Sequence, residues 1–238
     1  MTHIRTTAAL AGALYLLTFA TSIPALVLKG PAIRDPDFVL GAPGRAGVLW
    51  SGALELLLAI ACVGTAVVLY TVVRRTSEGA ALGFVAARVL EAALIVVGVL
   101  SLYAIVTLRA DAGIAEPAAL VATARALVAV HDWTFLLGPG LIPAVNAVLL
   151  GAVLYRARLV PRAIPLLGLV GAPLLAASAA ATIAGVIDQV SVWAALAALP
   201  IAAWELTLGL WLLFRGFRED AVAGIAPSAS GTVARAAS

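Results

Sequence analysis

Residues 47–73 read GVLWSGALELLLAIACVGTAVVLYTVV, and Arg74-Arg75 follow at once. Twenty-seven residues carry one charge, Glu55. A helix that crosses a bilayer needs about 20 mostly apolar residues. Trp50 and Tyr70 stand 20 residues apart, or about 30 Å of helix, the thickness of the hydrocarbon core. An apolar run bounded by interfacial aromatics and closed by two arginines is the pattern of a membrane-spanning helix.

Five more segments of this kind lie on either side of it, at 7–28, 79–108, 133–155, 163–187 and 191–214. The last two are separated only by Asp188-Gln189-Val190, so a tight antiparallel hairpin is expected there. Short alternating segments, the mark of a β-barrel, are missing. The expected fold class is an all-α membrane protein, a six-transmembrane-helix bundle over residues 1–218. Residues 219–238 are expected to form a disordered tail, being small, polar and rich in Gly, Ser and Ala. The whole composition agrees. The 238 residues are 63% hydrophobic and 11% charged, against roughly 45–50% and about 25% in soluble domains. So few charges cannot cover a soluble fold, and the net charge of +3 does not cluster into a stripe for nucleic acid.

Loop charges set the expected orientation. Arg5, Arg74, Arg75, Arg156, Arg158, Arg162, Arg215 and Arg218 fall on one side; Lys29, Arg34, Arg45, Arg109 and Arg125 fall on the other. The richer side is expected to be cytoplasmic, with both termini on it, in the inner membrane of a bacterium. Trp50, Trp133 and Trp193 open the second, fourth and sixth helices, and Tyr70, Tyr155 and Phe214 close them. These read as interfacial belts. The shared aromatic-Arg endings need no internal repeat to explain them, since every inward-running helix wants both.

The outer segment 29–46, with Pro31, Pro36 and Pro43, is expected to be an irregular loop. Residues 117–130 are Ala-rich, and Pro117 suits a first helical turn. A short helix is expected there, on the outer surface or extending the fourth span. The first apolar segment exceeds the ~7–15 residues of a signal-peptide core and is read as a retained helix. The single cysteine, Cys62, reads as a small packing residue.

Ionisable side chains at membrane depth are costly and usually face the bundle interior. Glu55, Arg88, Glu91 and Glu205 are four such groups, and Asn146 is a neutral fifth. Arg88, Asn146 and Glu205 each lie nine residues from the inner end of their segment, about 14 Å up. Glu91 is one turn higher and Glu55 higher again. A polar network near the midplane is therefore expected. Small residues at helical spacing flank Glu55 (Ser51, Gly52, Ala59, Cys62, Ala66) and Glu205 (Ala198, Ala202, Gly209), so both carboxylates belong on packing faces. One Arg can bridge two carboxylates. Glu55, farthest from Arg88, is the carboxyl expected to carry a proton. Gly138-Pro139-Gly140 and Pro143 predict a break in the fourth helix beside Asn146. Pro24, Pro173 and Pro200 are further kink candidates.

No HExxH, G-x-S-x-G, phosphate-binding glycine loop or Cys/His cluster occurs, so nothing points to an enzyme, a metal or a cofactor. His131-Asp132 is an outer-face candidate, being the one His with an adjacent carboxylate. The expected partner is the lipid bilayer, and nucleic acid is not expected. A homo-oligomer or a partner membrane protein is left open.

Several stretches together resemble a bacterial family known as domain of unknown function 4386. They are Gly12-Ala13-Leu14-Tyr15-Leu16-Leu17-Thr18-Phe19, Gly52-Ala53-Leu54-Glu55 and Arg88-Val89-Leu90-Glu91-Ala92. Asp132-Trp133-Thr134-Phe135-Leu136-Leu137-Gly138-Pro139-Gly140, Leu159-Val160-Pro161-Arg162 and Trp204-Glu205-Leu206 continue it. The resemblance covers about residues 6–218 and implies a polytopic membrane protein with no assigned activity. Three functions stay open at this level. A small-molecule or proton-coupled transporter requires a cavity reaching Glu55 or Glu205. A non-catalytic interaction or sensor subunit requires a dry, packed network. An intramembrane enzyme requires a polar outer pocket at His131 and Asp132.

Overall fold

The computed structural model describes residues 2–224, and all its regular elements are helices. They are α1 (Thr2–Leu28), α2 (Gly30–Arg34), α3 (Arg45–Val73), α4 (Glu78–Leu108), α5 (Pro117–Leu137), α6 (Ile142–Arg156), α7 (Ala163–Ile183), α8 (Val192–Phe214) and α9 (Glu219–Gly224). Six spans are long and apolar enough to cross a membrane, with α5 and α6 forming one interrupted span, Pro117–Arg156. The protein is an all-α, six-span membrane protein.

The spans close into a ring. α1 packs on α3, α3 on α4, α4 on α6, α6 on α7 and α7 on α8, and α8 returns to α1. That last contact is close because both helices offer glycine. A Cβ on Gly12 would lie 2.6 Å from the Gly209 carbonyl oxygen, so a larger residue would push the helices apart. Gly168 does the same for α7 and α8, where a Cβ would meet the Trp204 ring at 2.6 Å. At the end of α8 the Arg5 guanidinium donates to the carbonyls of Leu212, Leu213 and Phe214. These are among the last carbonyls of a helix, which have no partner within it. The start of α1 and the end of α8 therefore lie on one side of the ring, the termini side. A core including Tyr15, Leu69, Phe84, Leu150, Leu154 and Leu212 fills the bundle on that side.

The fourth span breaks for a backbone reason. Pro139 has no N–H to donate to the Phe135 carbonyl, and Gly140 donates to it instead, at 2.9 Å. This widens the turn and ends α5. Gly140 tolerates the geometry because it has no Cβ, which would sit 2.5 Å from the Leu136 carbonyl oxygen. α6 then starts with Pro143 in its first turn, where no intrahelical N–H bond is lost.

Residues 117–130 take the second of the two expected forms and extend the fourth span: α5 runs unbroken through His131-Asp132-Trp133, which contain no breaker. Other local expectations change. The fifth span stops at Ile183 rather than 187. Gly185 takes φ +71°, donates to Thr182, and lets Val186 donate to Ala181, a left-handed cap that ends the helix. The hairpin link is therefore longer than three residues. Residues 29–46 are not an irregular loop either. They form α2 and a 3₁₀ turn, Pro36–Leu40, because Pro31 and Pro36 fall in first turns where a missing N–H costs nothing. Phe38 and Val39 of that turn bury against α4 and α5 residues. Of the expected tail, Glu219–Gly224 is helical, and the Arg218 guanidinium bonded to Asp220 holds that carboxyl below its usual value. The remainder, 225–238, lies outside the described residues.

Candidate functional site

The polar side chains of the spans gather into two groups. In the first, Arg88 Nη2 donates to Glu205 Oε1 at 2.7 Å and Nη1 donates to Glu91 Oε2 at 3.1 Å. Asn146 Nδ2 donates to the same Glu91 oxygen at 2.9 Å. Helix direction explains the meeting. Side chains lean toward their helix N-terminus. α4 starts on the termini side and α6 and α8 end there, so Arg88 and Glu91 lean one way while Asn146 and Glu205 lean the other. The guanidinium is flanked by the Tyr15 and Phe84 rings, 5.3 and 5.7 Å from their centroids. Arg88 and Glu91 are buried, while Glu205 keeps 14% of its side chain exposed. Its Oε1 takes the arginine bond, and no hydrogen bond to its Oε2 occurs among the described residues. One guanidinium against two carboxylates leaves a formal charge of −1.

The second group forms around Lys29. Its Nζ lies 2.6 Å from Glu55 Oε1 and 3.1 Å from His131 Nε2, and 4.6 Å above the Phe135 ring. His131 Nδ1 is 3.2 Å from Asp132 Oδ1, and the imidazole stacks on Phe135 with 14° between planes. An ammonium can only donate. Nε2 therefore accepts, and the ring proton sits on Nδ1, facing Asp132. Lys29 and His131 are buried, whereas 48% of the Asp132 side chain is exposed. The four groups make a line from membrane depth to the surface opposite the termini.

Glu55 thus stands apart from the Arg88 group with which it was expected. The expectation that Glu55 carries a proton rested on its having no counter-ion, and Lys29 supplies one. The sequence places Lys29 among the loop charges, whereas in the structure it is 1% exposed. The available signal was compositional: it is the one lysine in a chain that otherwise uses arginine. His131 and Asp132 do lie together, and the structure adds Lys29 and Glu55 to them. No group of three or more His, Cys, Asp or Glu side chains suited to a metal occurs among the described residues.

A cavity of about 780 Å³ occupies the ring on the side away from the termini. Arg88, Glu91 and Glu205 lie at its inner end, and Arg34, Gln189 and Ser191 at its outer end. Thr18, Ser22, Ser178 and Thr182 punctuate mostly apolar walls. Pro139, Gly140 and Pro143 of the broken span also line it, while Gly138 packs against Leu94. A second space of about 260 Å³ borders Lys29, Glu55 and His131. The two share Ser22, Leu26, Leu58, Ile95, Phe135 and Pro139 as walls.

The family model described as Domain of unknown function (DUF4386) matches residues 10–216, most of the chain. The protein belongs to the DUF4386 family. No curated protein and no solved structure matches it. In this DUF4386 chain the matched range takes in every residue of both polar groups and of the broken span. The family description carries no activity, so the function of the DUF4386 fold here must be argued from the cavity and the charges beside it.

Proposed function

We propose that the protein binds a small apolar cation in the larger cavity and carries it across the membrane. The observation that carries this reading is a cavity of about 780 Å³ with two carboxyl groups against one guanidinium at its inner end, a formal charge of −1. That volume falls within the roughly 300–1,000 Å³ of small-molecule sites. A charge in hydrocarbon is costly, and an unbalanced −1 is stabilised by a cation. Glu205 is the contact, since it lines the cavity, keeps 14% of its side chain exposed and has an Oε2 without a hydrogen bond among the described residues. Arg88 holds Glu205 in place and keeps the site from attracting more than one positive charge.

Two further features support movement as well as binding. Broken helices at membrane depth are tolerated where they line a cavity, and transporters place substrates against them. The cavity also ends on a packed core toward the termini, as expected of one state in an alternating-access cycle. The arginine-rich termini side supports a cytoplasmic location for both ends, with the cavity facing outward, in the inner membrane.

The test compares three benzyl compounds of different charge with the full chain in lipid nanodiscs. Benzyltrimethylammonium is expected to bind, benzyl alcohol to bind weakly and phenylacetate not at all. Glu205→Gln is expected to abolish the preference for the cation. Proteoliposomes should accumulate the cation. Equal binding of phenylacetate, or no binding of the cation, overturns the proposal.

A further inference from the structure

Fourteen of the fifteen basic residues are arginine, and the exception is the buried Lys29. Arginine keeps its proton in every protein setting, whereas a buried lysine can release one. Lys29 lies at the inner part of a line of exchangeable groups that ends at the half-exposed Asp132. The same Phe135 ring lies under its ammonium, stacks on His131 and forms a wall of both cavities. A molecule entering the larger cavity meets the ring that positions the lysine and the histidine.

We infer that Lys29, Glu55, His131 and Asp132 form a proton-exchange site, and that a cation entering the adjacent cavity drives a proton out through it. The inference rests on the larger cavity being a cation site. In the empty protein, the Arg88 group, with its formal charge of −1, lies across the shared wall from Lys29. A bound cation neutralises that charge and repels the ammonium. An N–H bond of Lys29 breaks and a new one forms at His131 Nε2. The proton on His131 Nδ1 passes to Asp132 Oδ1 and from there to water. Glu55 remains a carboxylate throughout, and nothing is oxidised or reduced.

The charged and titratable groups facing this site come from each neighbouring element. α3 supplies Glu55, and α5 supplies His131 and Asp132. α4 supplies Tyr103, whose hydroxyl is committed to the Leu49 carbonyl. The link between α7 and α8 supplies the neutral Gln189, which donates to the Asp132 carbonyl, and next to it in sequence the exposed carboxyl of Asp188. Across the shared wall stand Arg88, Glu91 and Glu205, with Arg34 at the outer end of the larger cavity.

The experiment uses the full chain in nanodiscs and benzyltrimethylammonium, which has no proton to give. Calorimetry in buffers of different ionisation enthalpy counts protons released on binding. Wild type is expected to release a proton with each cation. Lys29→Arg keeps a partner for Glu55 and is expected to bind the cation while releasing none. Cation binding without release, or undiminished release from Lys29→Arg, overturns the inference. If no cation binds, the cavity reading has failed, and nitrogen NMR then decides the exchange site alone. The single lysine gives one side-chain signal, and His3→Gln leaves one histidine. Lys29 and His131 signals that do not change between about pH 5 and about pH 9 overturn the site, and a coupled change of both supports it.

Discussion

The Lys29 ammonium lies 2.6 Å from the Glu55 carboxylate, although their backbones sit at different depths. The end of α1 is level with Gly47, since a Cβ there would lie 3.3 Å from the Leu28 carbonyl oxygen. Glu55 is eight residues further along α3, about 12 Å deeper. Both side chains lean toward their own helix N-termini, which point in opposite directions in this antiparallel pair. Lysine at a membrane interface usually extends toward water; here it extends inward and closes that gap.

Breaking this pair from one side should therefore cost far more than removing it. Lys29→Met strands a buried carboxylate and is expected to cost about 3–5 kcal/mol. Lys29→Met with Glu55→Met strands nothing, and most of that loss should return. Reversible unfolding of the four proteins in mixed micelles measures the cycle. A double variant as unstable as the sum of its singles would mean that the two groups do not interact.

The Arg88 group and the Lys29 group differed in how far the sequence exposed them. Arg88, Glu91, Asn146 and Glu205 each interrupt an apolar run, and their depth follows from counting residues to helix ends. Their convergence was legible because helices impose a fixed rise. Lys29 ends its run, where loop and membrane residues look alike, and its direction depends on helix polarity and on what α3 offers opposite. The break at Pro139 was legible from local chemistry. The cavity was not, because it arises from the spacing of six helices, which pairwise packing sets.

Gly140 should tolerate no side chain. An added Cβ would sit 2.5 Å from the Leu136 carbonyl oxygen, and backbone cannot move aside as a side chain tip can. Gly140→Ala is expected to cost about 1–3 kcal/mol. Pro139→Ala restores a donor for the Phe135 carbonyl and should cost less, while drawing α5 and α6 toward a continuous helix. Thermal unfolding in detergent ranks the two variants. The ranking reversed would show that the proline, and not the glycine, sustains the break.

Orientation is testable without any ligand. Lys29 is buried and contributes nothing to surface charge, so four arginines remain on its side against eight on the termini side. The termini are expected in the cytoplasm. A fluorescent protein fused after Ser238 should then fluoresce in cells. Gln189→Cys in a Cys62→Ala background should react with a membrane-impermeant maleimide added outside spheroplasts. Labelling only after lysis would reverse the assignment.

The cavity predicts a graded pattern of access along α8. Ala194, Ala198 and Ala202 line it at four-residue spacing, Glu205 lies at its inner end, and Leu208 and Leu212 are buried in the core beyond. In a Cys62→Ala background, cysteines replacing the three alanines should react with water-soluble methanethiosulfonates. Leu208→Cys and Leu212→Cys should stay unreactive. Charge should sort the reagents as depth increases. Near Glu205 the −1 charge acts with little screening, so the trimethylammonium reagent should outpace the sulfonate at Ala202→Cys by more than at Ala194→Cys. Glu205→Gln should remove that difference and leave the access pattern unchanged. Equal rates for both reagents at Ala202→Cys would show that the inner end does not favour cations.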